Sequence, residues 1–220
     1  MTHPHPILAV ILLLLNGLVS SLYAAEITIS VQDTNGKPLT NIVALLRSKN
    51  PQPQLPAPQV QGIMDQINRE FVPHTLVVQQ GTQVSFPNSD NVQHHVYSFS
   101  PAKTFELKLY SELEIEPLLF DSPGIIELGC NVHDWMLGYI YVADTPYFAQ
   151  SNRQGEAVIN APAGEYTLSL WHPRLSDKDI ERVSNIVVSD QNIMVNLGLQ
   201  DSLLPSLVEY DAVEGFNNYD

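Results

Sequence analysis

Cys130-Asn-Val-His133-Asp-Trp-Met136 gathers a thiolate, an imidazole and a thioether into seven residues, and Cys130 is the only cysteine of the chain. A soft sulfur and nitrogen donor set of this kind suits copper. The three-residue spacing in a tight loop lets Cys130 and His133 face one ion, with Met136 approaching from an axial side. A fourth donor has to come from elsewhere, and His94-His95 lies upstream in a segment that reads as a strand. Two imidazoles and one thiolate in a trigonal set, with a long thioether bond, make a site that passes single electrons. Taken singly, Met136 fits a core position, Cys130 a small buried hydrophobe and His133 a surface loop. Together, after a strand and with a His pair on another strand, they favour copper. Zinc is the competitor because Cys and His suit it too, and thioether ligation argues against it. Four protein donors leave no open position for a substrate, which separates this pattern from a catalytic metal.

His94 and His95 are neighbours on a strand, so their side chains point to opposite faces and only one can reach the ion by simple geometry. His74 and His172 stand alone beside Pro73 and Pro173 and read as structural or surface residues.

The elements that must position these residues are strands. Ile27, Ile29 and Val31 alternate with polar residues from Glu26 to Gln32, Asp33-Thr-Asn-Gly36 is turn chemistry, and Ile42 to Leu46 is a second strand. Asn50 to Pro58 holds four prolines in nine residues and reads as a stiff linker, assigned to residues 51–58. Strands are then expected at Gly62 to Ile67, Thr75 to Gln79, Thr82 to Phe86, His94 to Phe99, Thr104 to Tyr110, Leu118 to Phe120, Ile125 to Leu128 and Gly138 to Val142. Pro87-Asn-Ser-Asp-Asn91 is a loop and Asp121-Ser-Pro-Gly124 a turn. Many short strands at regular spacing indicate a β-sandwich or barrel, with the Cys-His-Met segment joining the last two strands of this block. A third stretch gives strands at Ala157 to Ile159, Gly164 to Trp171 and Ile186 to Leu199, with Ser176 to Arg182 a charged helical turn or loop.

Residues 1–25 read as a secretory signal peptide: an apolar run from Ile7 to Leu15, then small residues ending at Ala24-Ala25. An uncleaved membrane anchor is the other reading, and the run is short for a full span. No stable membrane insertion is expected once the leader is removed. An exported chain with one cysteine forms no internal disulfide, and metal ligation is one way to protect the thiol. The net charge of −14 argues against nucleic acid as a partner and for a basic protein partner. No Lys or Arg follows Arg182, and residues 200–220 read as an acidic flexible tail.

The stretches Gly81 to Asp90, His94-His95-Val96, Phe120-Asp-Ser-Pro-Gly124 and Cys130-x-x-His133-x-x-Met136-x-Gly138 resemble the cupredoxins. The short ligand loop looks like that of amicyanin, the copper acceptor of methylamine dehydrogenase. Val96 to Lys103 and Cys130 to Tyr139 are closer still to the MauL-type methylamine-utilisation proteins, periplasmic cupredoxins of Gram-negative bacteria. The resemblance covers roughly residues 60–145. It implies a Greek-key cupredoxin β-sandwich over 59–146, one type 1 copper, and His94, Cys130, His133 and Met136 as the metal ligands. It places His95 where the family has an Asn that braces the ligand loops, and Trp135 where an aromatic residue packs over the site. It implies a periplasmic, non-enzymatic electron carrier whose partners are redox proteins such as a cytochrome c or a periplasmic dehydrogenase. The alternative is a copper-binding module for storage, delivery or sensing. A copper oxidase lacks a second metal cluster here.

Val31 to Leu39, Asn152-Arg-Gln-Gly155 and Pro162-Ala-Gly-Glu-Tyr166 resemble the carboxypeptidase-regulatory or transthyretin-like fold. This implies that the flanking segments 26–50 and 147–199 form a second small β-sandwich, with the other block inserted between its strands. A single sandwich with extra strands at both ends is the alternative. The expected fold class is all-β.

Overall fold

Alternation of apolar and polar residues sets the strands. Ile27, Ile29 and Val31 are fully buried, while Thr28 and Ser30 between them are half-buried on the other face and Glu26 before them is exposed. The computed structural model describes residues 24–50, 55–111, 116–176 and 183–205. The expected leader up to residue 23, the first half of the proline-rich linker, most of the charged stretch after Ser176 and the acidic tail from residue 206 lie outside the described residues.

In chain order the strands are β1 (Ala24–Gln32), β2 (Val43–Ser48), β3 (Gly62–Ile63), β4 (Asp65–Ile67), β5 (Glu70–Val72), β6 (Thr75–Gln79), β7 (Thr82–Ser85), β8 (His94–Ser100) and β9 (Lys103–Tyr110). They continue with β10 (Leu118–Phe120), β11 (Gly124–Cys130), β12 (Leu137–Ala143), β13 (Phe148–Gln150), β14 (Glu156–Pro162), β15 (Gly164–Trp171), β16 (Val183–Val188) and β17 (Ile193–Gly198). Among the described residues there is no helix, and the architecture is an all-β sandwich. No helix among them is long and apolar enough to cross a membrane.

Two buried clusters divide the strands. One lies between the sheets β14-β1-β17 and β13-β2-β15-β16, and is built on Ile27, Ile29, Val31, Ala44, Leu46, Ile159, Tyr166 and Leu168. The other lies under the five-stranded sheet β6-β12-β11-β8-β9 and the three-stranded sheet β10-β7-β3, and is built on Phe71, Phe86, Val96, Phe120, Ile126, Leu128 and Ile140. A third, smaller cluster joins them. Val43 and Leu45 of β2 and Trp171 of β15 meet Ala143, with Val77, Tyr139 and Tyr141 packed against them. The Trp171 ring lies 5.9 Å from Tyr139 and 5.2 Å from Tyr141. Arg47 and Asp144 pair across the same seam at 2.8 Å.

Three expectations are corrected. The stretch from Ile186 to Leu199 is two strands in different sheets, β16 beside β15 and β17 beside β1. The break at Ser189 to Asn192 is turn chemistry: Gln191 N–H donates to Ser189 Oγ, and Asn192 Oδ1 caps the Glu26 N–H. Gly62 to Ile67 divides at Met64 into β3, which pairs with β7, and β4, which pairs with β5. β5 and β13 are additional strands of three residues each, too short to show a period.

Candidate metal centre

β8 and β11 are adjacent antiparallel strands, with Val96 opposite Cys130 and Tyr97 opposite Gly129. His94 opens β8 and Cys130 closes β11, so pairing alone brings both to one end of the five-stranded sheet. His94 points inward and is fully buried, as strand alternation requires for the residue two before buried Val96. His133 follows in the loop to β12, where the Met136 N–H donates to the His133 carbonyl and closes a turn. The loop is tied at its start by the Asn131 N–H, which donates to the His95 carbonyl. At its end, Phe71 of β5 packs directly on Gly138.

The resulting geometry is a cluster of one thiol sulfur and two imidazole nitrogens. Nδ1 of His94 lies 3.7 Å from Sγ of Cys130, and Nδ1 of His133 lies 4.0 Å from it. The three donor atoms all stand within 4.8 Å of one another. Two ligands that share one ion at about 2.0–2.3 Å stand about 3.5–4 Å apart, so the spacing fits a single small metal ion. Met136 is 2% exposed and belongs to the same buried cluster as Cys130. His94, Cys130 and His133 are thus found together at one end of the sheet. His95 faces the other way: its Nε2 lies 2.8 Å from Glu106 Oε1 and its Nδ1 3.4 Å from Asn131 Nδ2.

Exposure is graded across the centre. His94 and Cys130 are buried, His133 is partly exposed, and Val132 and Trp135 stand out beside it. The Trp135 ring lies 5.4 Å from the His133 ring, which in turn lies 5.0 Å from that of His94. Burial, reinforced by His94 and the Arg69 guanidinium, holds the His133 imidazole below its ordinary pKa, while Asp90 pulls the other way. A neutral imidazole is the form that binds metal.

A residue not selected from sequence supports the buried side. Asp90 Oδ2 lies 2.8 Å from His94 Nε2. Burial raises the Asp90 carboxyl, but the N–H of Arg69, His94 and the N–H of Asn68 outweigh it and leave the net shift downward. Asn88 builds the loop that carries Asp90: its Nδ2 donates to the carbonyls of Val92 and Tyr110, and its Oδ1 takes the Asp90 N–H. A β-bulge between β8 and β9 assists. Tyr110 faces His94 and Leu107 faces Val96, so the register slips by one residue and Tyr110, not Leu109, turns inward. Its hydroxyl donates to the Phe86 carbonyl next to this loop.

His74 and His172 lie apart from the centre. The His74 ring meets Tyr139 edge-on. Burial depresses the pKa of both, and that of His172 falls to about 4 through burial, Arg174 and His74.

No protein-family model matches the chain, and no curated protein matches it. Among solved structures it is similar to a purple cupredoxin from Nitrosopumilus maritimus at 23% identity, over 39% of this chain and 100% of that one, with a TM-score of 0.33. It is similar to an oxidised amicyanin variant at 19% identity, over 46% of this chain and 98% of that one, with a TM-score of 0.34. It is likewise similar to the reduced Cu(I) form of another amicyanin variant at pH 4, at 20% identity over the same shares and with a TM-score of 0.34.

Proposed function

We propose that the chain is an exported type 1 copper protein that carries single electrons, in which His94, Cys130, His133 and Met136 would hold the copper. The observation that carries this reading is the cluster of two Nδ1 atoms around one Sγ, closed on its inner side by burial. Bound copper would supply one-electron chemistry between Cu(II) and Cu(I). The residues supply the rest. His94 and Cys130 keep water from the inner side. The partly exposed His133, with Trp135 and Val132 beside it, is the edge where a redox partner can approach.

The acidic chain favours a basic partner, such as a cytochrome c, and export places both in the periplasm. Methylamine utilisation, the setting that the sequence resemblance implies, makes a periplasmic dehydrogenase the electron donor. The site serves electron exchange and not substrate turnover, because four protein donors fill it.

The deciding experiment is the visible spectrum and voltammogram of the purified protein titrated with Cu(II), followed by a chelator challenge of its reduced form. An intense thiolate-to-copper band, reversible cycling and retention of Cu(I) are expected. Copper bound without such a band, or Cu(I) passed rapidly to the chelator, would favour storage or delivery instead.

A further inference from the structure

The turn between β4 and β5 reaches the metal centre. Ile67 pairs with Glu70, so Asn68-Arg69 is a two-residue hairpin loop, and both residues have left-handed φ values of 56° and 60°. This is the type I′ conformation that suits a twisted hairpin. Asn tolerates it. Arg pays for it, by about 1 kcal/mol, through contact of its Cβ with the following carbonyl. Both turn amides point at one carboxylate: the Asn68 N–H donates to Asp90 Oδ1 at 2.6 Å, and the Arg69 N–H to Oδ2 at 2.8 Å. The same Oδ2 takes His94 Nε2 at 2.8 Å. The Asp90 side chain is 10% exposed and that of His94 is fully buried.

An ionised carboxylate only accepts, so Nε2 carries the proton of the neutral imidazole. The lone pair is then on Nδ1, the atom 3.7 Å from Cys130 Sγ. A metal-binding histidine is oriented and made more basic by such a contact. The carboxylate also places a negative charge next to the donor cluster, and that charge favours the more positive oxidised state.

We propose that Asp90, gripped by the Asn68-Arg69 turn, is a positioning residue that fixes the His94 tautomer and holds the potential of the centre down. The potential half of this rests on the copper reading given above, and the tautomer half does not.

The test uses the full chain. In the metal-free protein with ¹⁵N-labelled histidine, NMR is expected to show His94 as the Nε2–H tautomer in the wild type and as a mixture in Asp90→Ala. In the copper-loaded protein, Asp90→Asn is expected to lower the affinity for the oxidised relative to the reduced ion by about tenfold, equal to a rise of about 59 mV for one electron. A hairpin cap with no wider role would move neither readout. An Nδ1–H tautomer in the wild type overturns the proposal, as does an unchanged potential in copper-loaded Asp90→Asn. A wild type that shows the Nε2–H tautomer but takes up no copper supports the positioning role and sinks the electron-carrier reading. The wild-type measurement needs no variant to fold.

Discussion

Tyr97 lies across Gly129: a Cβ added at Gly129 would stand 2.6 Å from Tyr97 Cζ and 2.7 Å from its hydroxyl. The position before Cys130 is therefore open only to glycine while that ring stays where it is. Gly138, two residues after Met136, is closed in the same way by Phe71, whose Cβ would be 2.8 Å away. The two glycines bracket the loop that carries Cys130, His133 and Met136 but differ in what crowds them.

At Gly129 the crowding atoms are the far end of a ring at the surface, which can swing aside. At Gly138 they are the near end of Phe71, which is 2% exposed and has nowhere to go. Overpacking costs about 1–3 kcal/mol. Gly129→Ala is expected at the low end of that range and Gly138→Ala at the high end or above. Urea unfolding of both variants checks the order. The reverse ranking would mean that Phe71 is less fixed than its burial indicates.

The thiol and the two neighbouring histidines should behave differently. Cys130→Ser is expected to abolish the thiolate-to-copper band, because an alcohol is a harder and far less acidic ligand. His94→Ala should lose the band as well. His95→Ala should keep it, since His95 faces Glu106 and Asn131 on the other side of the strand. Absorption spectra of the three copper-titrated variants decide this, and colour lost in His95→Ala but kept in His94→Ala would refute the assignment.

Met136 should tune the potential without being needed for colour. An axial thioether bond is long and weak, so the His and Cys donors carry most of the binding. Met136→Gln, a harder oxygen donor, is expected to lower the midpoint by favouring Cu(II), and Met136→Leu to raise it. Voltammetry reads both, and a midpoint unmoved in both variants would reduce Met136 to core filling.

His172 makes stability sensitive to acid. Its pKa falls from 6.5 to about 4 in the folded chain, through burial first and then Arg174 and His74. Between these values the unfolded chain binds more protons than the folded one, so stability rises with pH. Full stability is therefore present above pH 6.5 and is lost as pH falls towards about 4, by roughly 2–3 kcal/mol from this group. His74 is shifted in the same direction. His172→Asn, which keeps an acceptor for the Arg174 N–H, is expected to flatten the pH dependence of urea unfolding between pH 6.5 and 4.5. An equally steep slope in that variant would assign the acid sensitivity elsewhere.

Much of the site was legible because it depends on local order. Cys130, His133 and Met136 announce themselves by spacing, whereas alternation says only that His94 and His95 face opposite ways, and the choice of His94 comes from the family resemblance. Asp90 carried no such signal. It sits in a loop of Asn and Asp residues that reads as generic turn chemistry, and its partners Asn68 and Arg69 come from a hairpin that spacing did not reveal. A β5 of three residues before Pro73 is too short to show a period. The break within Ile186 to Leu199 was hidden for the opposite reason, since two strands of like composition flank a four-residue turn and resemble one long strand. The inward turn of Tyr110 depends on a bulge, and a bulge reverses the alternation on which such readings rest.

The strand pairing of β1 bears on the order of folding. Ile27 takes its partners from Ile159 and Ile193, so the first of the described strands waits for the last. The sheet that carries His94 and Cys130 is complete by Ala143. Closing long loops is slow, and contacts between nearer segments form first. Pulse-labelled amide exchange during refolding is expected to protect β11 and β12 before β1, and simultaneous protection would contradict this order. The end that carries His94 and Cys130 would then take shape before β1 and β17 have paired. The late closure of β1 against β14 and β17 would act as a clasp around a centre already formed.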